Sequence, residues 1–131
     1  MNNLEIIKAY HSKIWDKKDL SAVKLFFDAE ALIHSPVKTT KGTEQMTDVI
    51  ARWHKGFPNL KVYWDDFICE NDKVVSRWHA EGQQEGEFLD KAPSKVHVNY
   101  SGVTIYQLKE GKITQYWAIV DMDMLKKQLQ G

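Results

Sequence analysis

The chain has 131 residues, of which 43% are hydrophobic and 11% aromatic, and this size predicts one globular domain over residues 1–131. Equal numbers of basic and acidic side chains give a formal net charge of zero, which argues against nucleic acid as a partner. The single cysteine, Cys69, excludes an internal disulfide, and no apolar run is long enough for a membrane span. Because residues 1–14 lack the pattern of a signal peptide, we expect a cytoplasmic location and no membrane partner.

Helices are predicted in the first half of the chain. Asn2 and Glu5 have capping-box spacing, and apolar residues then recur at helical intervals, so residues 3–17 should form a helix. A shorter helix and an apolar strand at residues 31–34 should follow. The stripe of apolar residues in residues 43–56, with glycine at its end, predicts another helix.

The second half of the chain has the pattern of β-strands. Residues 60–69 and 73–84 should pair as one antiparallel hairpin, and residues 95–108 and 113–120 as another. Helical spacing returns in residues 123–130. Helices segregated from an antiparallel sheet predict an α+β fold, with a curved antiparallel sheet wrapped around the N-terminal helices.

The second hairpin predicts which side chains share a face of the sheet. If Glu110 and Gly111 form a two-residue loop, strand pairing places on one face Tyr100, Thr104, Tyr106, Trp117 and Asp121. Rings, hydroxyls and one carboxylate on a single face are typical of a ligand cavity. A bulge in either strand would shift this register.

Several segments resemble the SnoaL-like polyketide cyclase family. They are Gly56-Phe57-Pro58-Asn59-Leu60, the hairpin stretch 72–77, the segment with Gly82, Gly86, Glu87, Phe88 and Pro93, Gly111-Lys112-Ile113, and the ending Trp117, Asp121 and Gln128-Leu129. The resemblance spans most of the chain. It implies a cone like that of nuclear transport factor two, also described as cystatin-like, which encloses an apolar pocket. It further implies a homodimer or homotetramer and a chemistry that requires neither a metal nor an organic cofactor.

The resemblance also implies a role for Asp121. In characterised family members, the aspartate of the final strand is the general acid/base of an intramolecular aldol ring closure, and it corresponds to Asp121. The residue type suits this role because desolvation in an aromatic pocket raises the pKa of an aspartate toward the range of a general base. Alternatively, Asp121 caps the C-terminal helix, although Asp123 could serve as that cap.

Further residues are predicted to complete the site. His34 follows an apolar strand and is the second catalytic candidate, and the donor to an enolate oxygen could be Tyr100, His34 or His79. The residues expected to contact the substrate are Tyr100, Thr104, Trp117, Trp53 and Phe57. The scattered histidines predict no metal site.

These features favour a cofactor-independent cyclase acting on a small apolar carbonyl compound in an enclosed pocket. Two alternatives stay open. An isomerase or dehydratase of the same fold would also use a pocket carboxylate or histidine, and a non-catalytic module could use the same cone to hold a hydrophobic ligand.

Overall fold

A computed structural model describes residues 2–130, in which one six-stranded sheet lies against helices. The helices are α1 (Asn3–Tyr10), which continues as a π-helix (His11–Asp16), a 3-10 turn (Leu20–Ala22) leading into α2 (Val23–Phe26), α3 (Thr43–Gly56) and α4 (Met122–Leu129). The strands are β1 (Phe27–His34), β2 (Thr39–Lys41), β3 (Lys61–Glu70), β4 (Lys73–Gln83), β5 (His97–Lys109) and β6 (Lys112–Val120). No helix within residues 2–130 has the length and apolar character that a membrane crossing requires.

The first helix begins at the predicted cap but does not stay α-helical to its end. The Asn2 side chain accepts a hydrogen bond from the Glu5 backbone N–H at 2.8 Å, which completes the capping box. From His11 the backbone widens into a π-helix, a form that is rare outside short functional segments. The predicted helix over residues 3–17 is therefore two kinds of helix.

The sheet has the order β2-β1-β6-β5-β4-β3 and is curved and open. The predicted α+β fold is confirmed, and so are both hairpins. One pair of neighbours, β1 and β6, runs parallel. Strand β2 was not predicted, because three polar residues (39–41) that pair with the end of β1 carry no strand pattern of their own.

One face of the sheet, here called the inner face, packs against the helices. Tyr106 and Tyr116 on this face share a buried apolar cluster with Ile7 and Tyr10 of α1 and Ile50 of α3. The predicted helix over residues 43–56 has these bounds in the structure, since apolar positions along it meet the sheet. The opposite face, the outer face, is not covered by any helix of the described chain.

The predicted register of the last hairpin is wrong by one residue. A bulge follows the turn, so that Gln107 pairs with Gln115 and Ile105 with Trp117. Thr114 is the extra residue, and its hydroxyl donates to the Gln107 carbonyl at 3.1 Å. Because side chains alternate along a strand, the extra residue moves Trp117 from the inner to the outer face.

Candidate active site

A narrow cavity of about 40 Å³ lies between the inner face of the sheet and the helices. Aromatic rings form most of its wall, and they include four of the five tryptophans, Trp15, Trp53, Trp64 and Trp78. Three tyrosines, Tyr100, Tyr106 and Tyr116, complete the aromatic wall. Its lining suits an apolar group, and its volume takes only a small part of a ligand.

An outer recess of about 420 Å³ adjoins the cavity, and this volume lies in the usual range for a small-molecule site. Pro36, Val49 and Trp53 line both spaces, so the body of a ligand in the recess would lie next to the cavity. The recess also carries charged side chains of both signs, namely Arg52, Lys55, Glu87 and Asp90. Its balanced charge does not favour an ionic ligand of either sign.

The floor of the cavity, on the sheet, carries a small number of polar groups. The indole N–H of Trp78 donates to the hydroxyl of Thr104 at 2.9 Å, across the pair β4 and β5. The indole N–H of Trp64 is buried and has no hydrogen-bond partner within residues 2–130. Burial raises the pKa of Tyr100 far above its ordinary value, so this phenol stays protonated at neutral pH.

His11 stands directly behind this wall and was not predicted as a site residue. Its Nε2 atom lies 2.9 Å from the Tyr106 hydroxyl, and its ring stacks on Trp64 with 3.4 Å between ring centroids. The side chain is 2% exposed. Burial lowers the pKa of His11 to about 3, so the imidazole is neutral at physiological pH. The sequence signal was present, because His11 shares its helical stripe with Ile7 and Tyr10.

The structure brings some of the predicted substrate contacts together. Trp53, Tyr100 and Thr104 line the cavity. Phe57 is fully buried but is not part of the wall, and its ring packs edge-on against Phe88 at 5.0 Å. Phe57 therefore supports the wall from behind.

Two other predicted residues lie on the outer face, Trp117 because of the bulge and His34 because it alternates with the buried Ile33 along β1. The rings of His34 and Trp117 stack there with their centroids 5.3 Å apart. His34 is hydrogen-bonded to Gln115 at 3.2 Å and to Thr39 at 3.1 Å. His79 is also exposed on the outer face, where it bonds an aspartate at 2.8 Å. The predicted inner position of Trp117 is wrong, and a catalytic role for His34 stays a prediction without support from the cavity wall.

Asp121 lies at the start of α4 and is exposed to solvent. Its carboxylate accepts a hydrogen bond from the Met124 backbone N–H at 3.0 Å, so Asp121, and not Asp123, caps this helix. The expected enclosure by rings is absent. Its neighbours in the chain do reach the two spaces, since Val120 lines the cavity and Met122 the recess. The acid/base role of Asp121 stays a prediction.

No group of three histidine, cysteine, aspartate or glutamate side chains within residues 2–130 is arranged to hold a metal ion. The chemistry that the described side chains offer is hydrogen bonding and proton transfer next to an apolar ligand.

Comparison with known proteins identifies relatives of the chain. The family model of the SnoaL-like polyketide cyclases matches residues 5–129. No curated protein gives a significant match.

Solved structures reproduce the fold over nearly the whole chain. The crystal structure of a candidate SnoaL-like polyketide cyclase from Jannaschia sp. CCS1 has a TM-score of 0.90 and 24% identity, and covers 98% of this chain and 92% of its own. TsrD from Streptomyces laurentii has a TM-score of 0.86 and 23% identity, with coverage of 98% and 97%. A SnoaL-like polyketide cyclase from Agrobacterium tumefaciens has a TM-score of 0.80 and 16% identity, with coverage of 98% and 99%. Identities this low show the shared fold alone.

Proposed function

Since the chain belongs to the SnoaL-like polyketide cyclase family, we propose that it is a cofactor-independent cyclase for a small, mainly apolar carbonyl compound. The observation that carries this proposal is the ring-lined cavity with a polar floor on the sheet. Rings bind the apolar body of such a substrate, and a few hydrogen-bonding groups orient its oxygens. Trp53, Tyr100 and Thr104 would contact the substrate directly.

The proposed reaction is an intramolecular aldol closure by general acid/base chemistry. A base removes a proton next to one carbonyl, the enolate carbon attacks a second carbonyl of the same molecule, and the new alkoxide takes up a proton. Asp121 is the proposed proton carrier, because the chain at this position borders both the cavity and the recess through which substrate would enter. The carboxylate takes the proton from carbon and returns a proton to the alkoxide, so the closure needs no other reactant.

The variant Asp121→Asn tests this assignment without disturbing the helix. Asparagine caps helices as well as aspartate does, so the bond to Met124 is kept while the titrating group is lost. We expect turnover of a linear poly-β-ketone ester, followed by mass spectrometry of the cyclised product, to fall by about 100-fold or more with an unchanged melting temperature.

Asp123→Asn is the matched control, because Asp123 forms only an exposed ion pair with Lys127 at 3.0 Å. It should leave turnover unchanged. Equal turnover in wild type and Asp121→Asn would remove Asp121 from the mechanism.

One observation favours a second candidate function, a non-catalytic module for hydrophobic ligands. No carboxylate lines the cavity among the described residues. If wild-type protein binds the ketone ester and returns it unchanged after long incubation, the module is the better description.

We also propose that the chain forms a homodimer or homotetramer through the outer face. Apolar side chains are exposed there without a helix to cover them, with Leu32 38% and Ile119 57% exposed beside the His34–Trp117 stack. Exposed apolar patches of this kind mark contact surfaces. Ile119→Lys should lower the mass measured by light scattering to that of a single chain, and an unchanged mass would place the contact elsewhere.

A further inference from the structure

Unpaired polar atoms are concentrated around the Tyr106 hydroxyl. The His11 Nδ1 atom is buried without a hydrogen-bond partner in residues 2–130, and its side chain is 98% buried because only 2% is exposed. The hydroxyl of Ser76, which is fully buried next to Tyr106, also lacks a partner there. Buried polar atoms without partners are costly, so a cluster of them calls for a functional explanation.

The unpaired Nδ1 atom decides how His11 and Tyr106 share their protons. A neutral imidazole carries one proton, on Nδ1 or on Nε2. With the proton on Nδ1, a buried N–H would have no acceptor, and such orphaned donors are rare in folded proteins. With the proton on Nε2, His11 donates to the Tyr106 oxygen at 2.9 Å and only a lone pair stays unpaired. The second arrangement is therefore favoured.

This arrangement leaves the proton of the Tyr106 hydroxyl available for another acceptor. Tyr106 lines the cavity together with its cross-strand neighbour Tyr116. The hydroxyls of Ser76 and Thr104 lie next to its oxygen and lower its pKa as donors, and Thr104 also accepts from Trp78.

We infer that Tyr106, with its oxygen held by the Nε2–H of His11, donates into the cavity and binds the carbonyl or enolate oxygen of the ligand. His11 is a positioning residue, since it acts through Tyr106. The assignment rests on the proposed function only in taking the ligand to be a carbonyl compound. It names the oxygen site that the proposed aldol closure needs.

The surroundings suit a neutral hydrogen-bond donor. Burial is the main cause that raises the pKa of Tyr106 well above its ordinary value, and Tyr116 adds to it, so the phenol keeps its proton. The stack on Trp64 and the hydrogen bond hold the His11 ring in place from two directions. A fixed donor in a dry cavity stabilises developing negative charge on oxygen without reorganising.

The experiment compares two probes of nearly the same shape, the ketone 1-tetralone and the hydrocarbon tetralin. Binding is followed by quenching of tryptophan fluorescence, because four tryptophans line the cavity. One neutral hydrogen bond should make the ketone bind about two- to tenfold more tightly than the hydrocarbon. Tyr106→Phe should abolish this preference, whereas Tyr63→Phe, on the exposed outer face, should keep it. A preference that survives Tyr106→Phe would overturn the inference.

A second measurement decides the point even if Tyr106→Phe does not fold. The ¹⁵N spectrum of histidine-labelled wild type should show His11 with a protonated Nε2 and an unprotonated Nδ1. A protonated Nδ1 would mean that the Tyr106 hydroxyl donates its hydrogen bond to Nε2 of His11, and this result would overturn the inference. Failure of both probes to bind would instead refute the cavity of the proposed function, and the ¹⁵N result would still stand.

Discussion

The inner and outer faces of β5 and β6 differ sharply although the same two strands form both. On the inner face, Tyr106 and Tyr116 are opposite each other, 1% and 5% exposed, and belong to the cavity wall. On the outer face, Ile105 pairs with the half-buried Trp117, and Ile119 is 57% exposed. The bulge at Thr114 sets which aromatic side chains of β6 lie on each face.

The two faces also differ in how their histidines are held. His11, behind the inner face, is 2% exposed and has one nitrogen without a partner. His34, on the outer face, has partners for both ring nitrogens, Thr39 and Gln115. A histidine whose hydrogen bonds are complete and which faces away from the cavity is better explained by structure, whereas the incomplete one invites a functional role.

The largest effect is expected from truncating matched rings on the two faces. Tyr106→Ala removes a buried ring and should lower the free energy of unfolding by about 3–5 kcal/mol. Trp117→Ala removes a larger but half-buried ring and should cost about 1 kcal/mol. Urea unfolding followed by circular dichroism measures both. Equal losses would contradict the assignment of the faces.

An acid-dependent effect should distinguish the two histidines. The pKa of His11 falls from its ordinary 6.5 to about 3 in the folded protein, so below pH 6.5 the unfolded chain binds a proton that the native chain does not. Stability should therefore fall as the pH drops from about 6.5 toward 3, by about 1.4 kcal/mol for each pH unit from this residue.

The variant His11→Phe isolates this contribution. It keeps a ring against Trp64 and should remove about 1.4 kcal/mol per pH unit from the slope of the unfolding free energy across that window, whatever its effect at pH 8. Part of the slope should remain, because burial also lowers the pKa of His54, to about 4. His34→Phe serves as the outer-face comparison. A slope that is unchanged in His11→Phe would show that the buried imidazole does not titrate in this way.

The smallest effect is expected from deleting Thr114. Thr114 is the unpaired residue of the bulge. Its removal should let Ile113 and Gln115 keep their partners on β5 without a bulge, while Tyr116 stays on the inner face. The cost should be about 1–2 kcal/mol in the free energy of unfolding, with tetralone binding retained. Loss of binding in a folded deletion variant would mean that the register had slipped and that the bulge is needed to hold it.

Local signals in the sequence were enough to predict most of the elements. The capping box at Asn2 and Glu5 and the apolar stripe of residues 43–56 are short-range patterns, and each set the start of a helix correctly. The two hairpin turns were equally clear, because each is a short polar stretch between strand-like runs. In the structure Asn71 and Glu110 take positive φ values there, 53° and 51°. Such features depend on neighbours in the chain, which a single sequence displays.

The features that sequence reasoning missed depend on contacts between distant residues. The bulge at Thr114 leaves no pattern in β6, yet it reversed the face of Trp117. The hydrogen bond between His11 and Tyr106 joins residues 95 positions apart, and the unpredicted π-helix begins at His11. Asp121 was expected among rings because the predicted register put it on their face of the sheet, while the structure places it at an exposed helix cap. The aromatic surplus was expected to line a cavity, and four of the rings that surround the cavity of the structure, Trp15, Trp64, Trp78 and Tyr116, were not among those predicted.

The central claim is that the ligand lies on the inner face of the sheet, against the rings that surround Tyr106. Intermolecular nuclear Overhauser effects from bound 1-tetralone test it most directly, because they report only protons a few ångströms apart. Cross-peaks are expected to the ring protons of Trp64, Trp78 and Tyr106. Cross-peaks to Trp117 and His34 in their place would put the ligand on the outer face and contradict it.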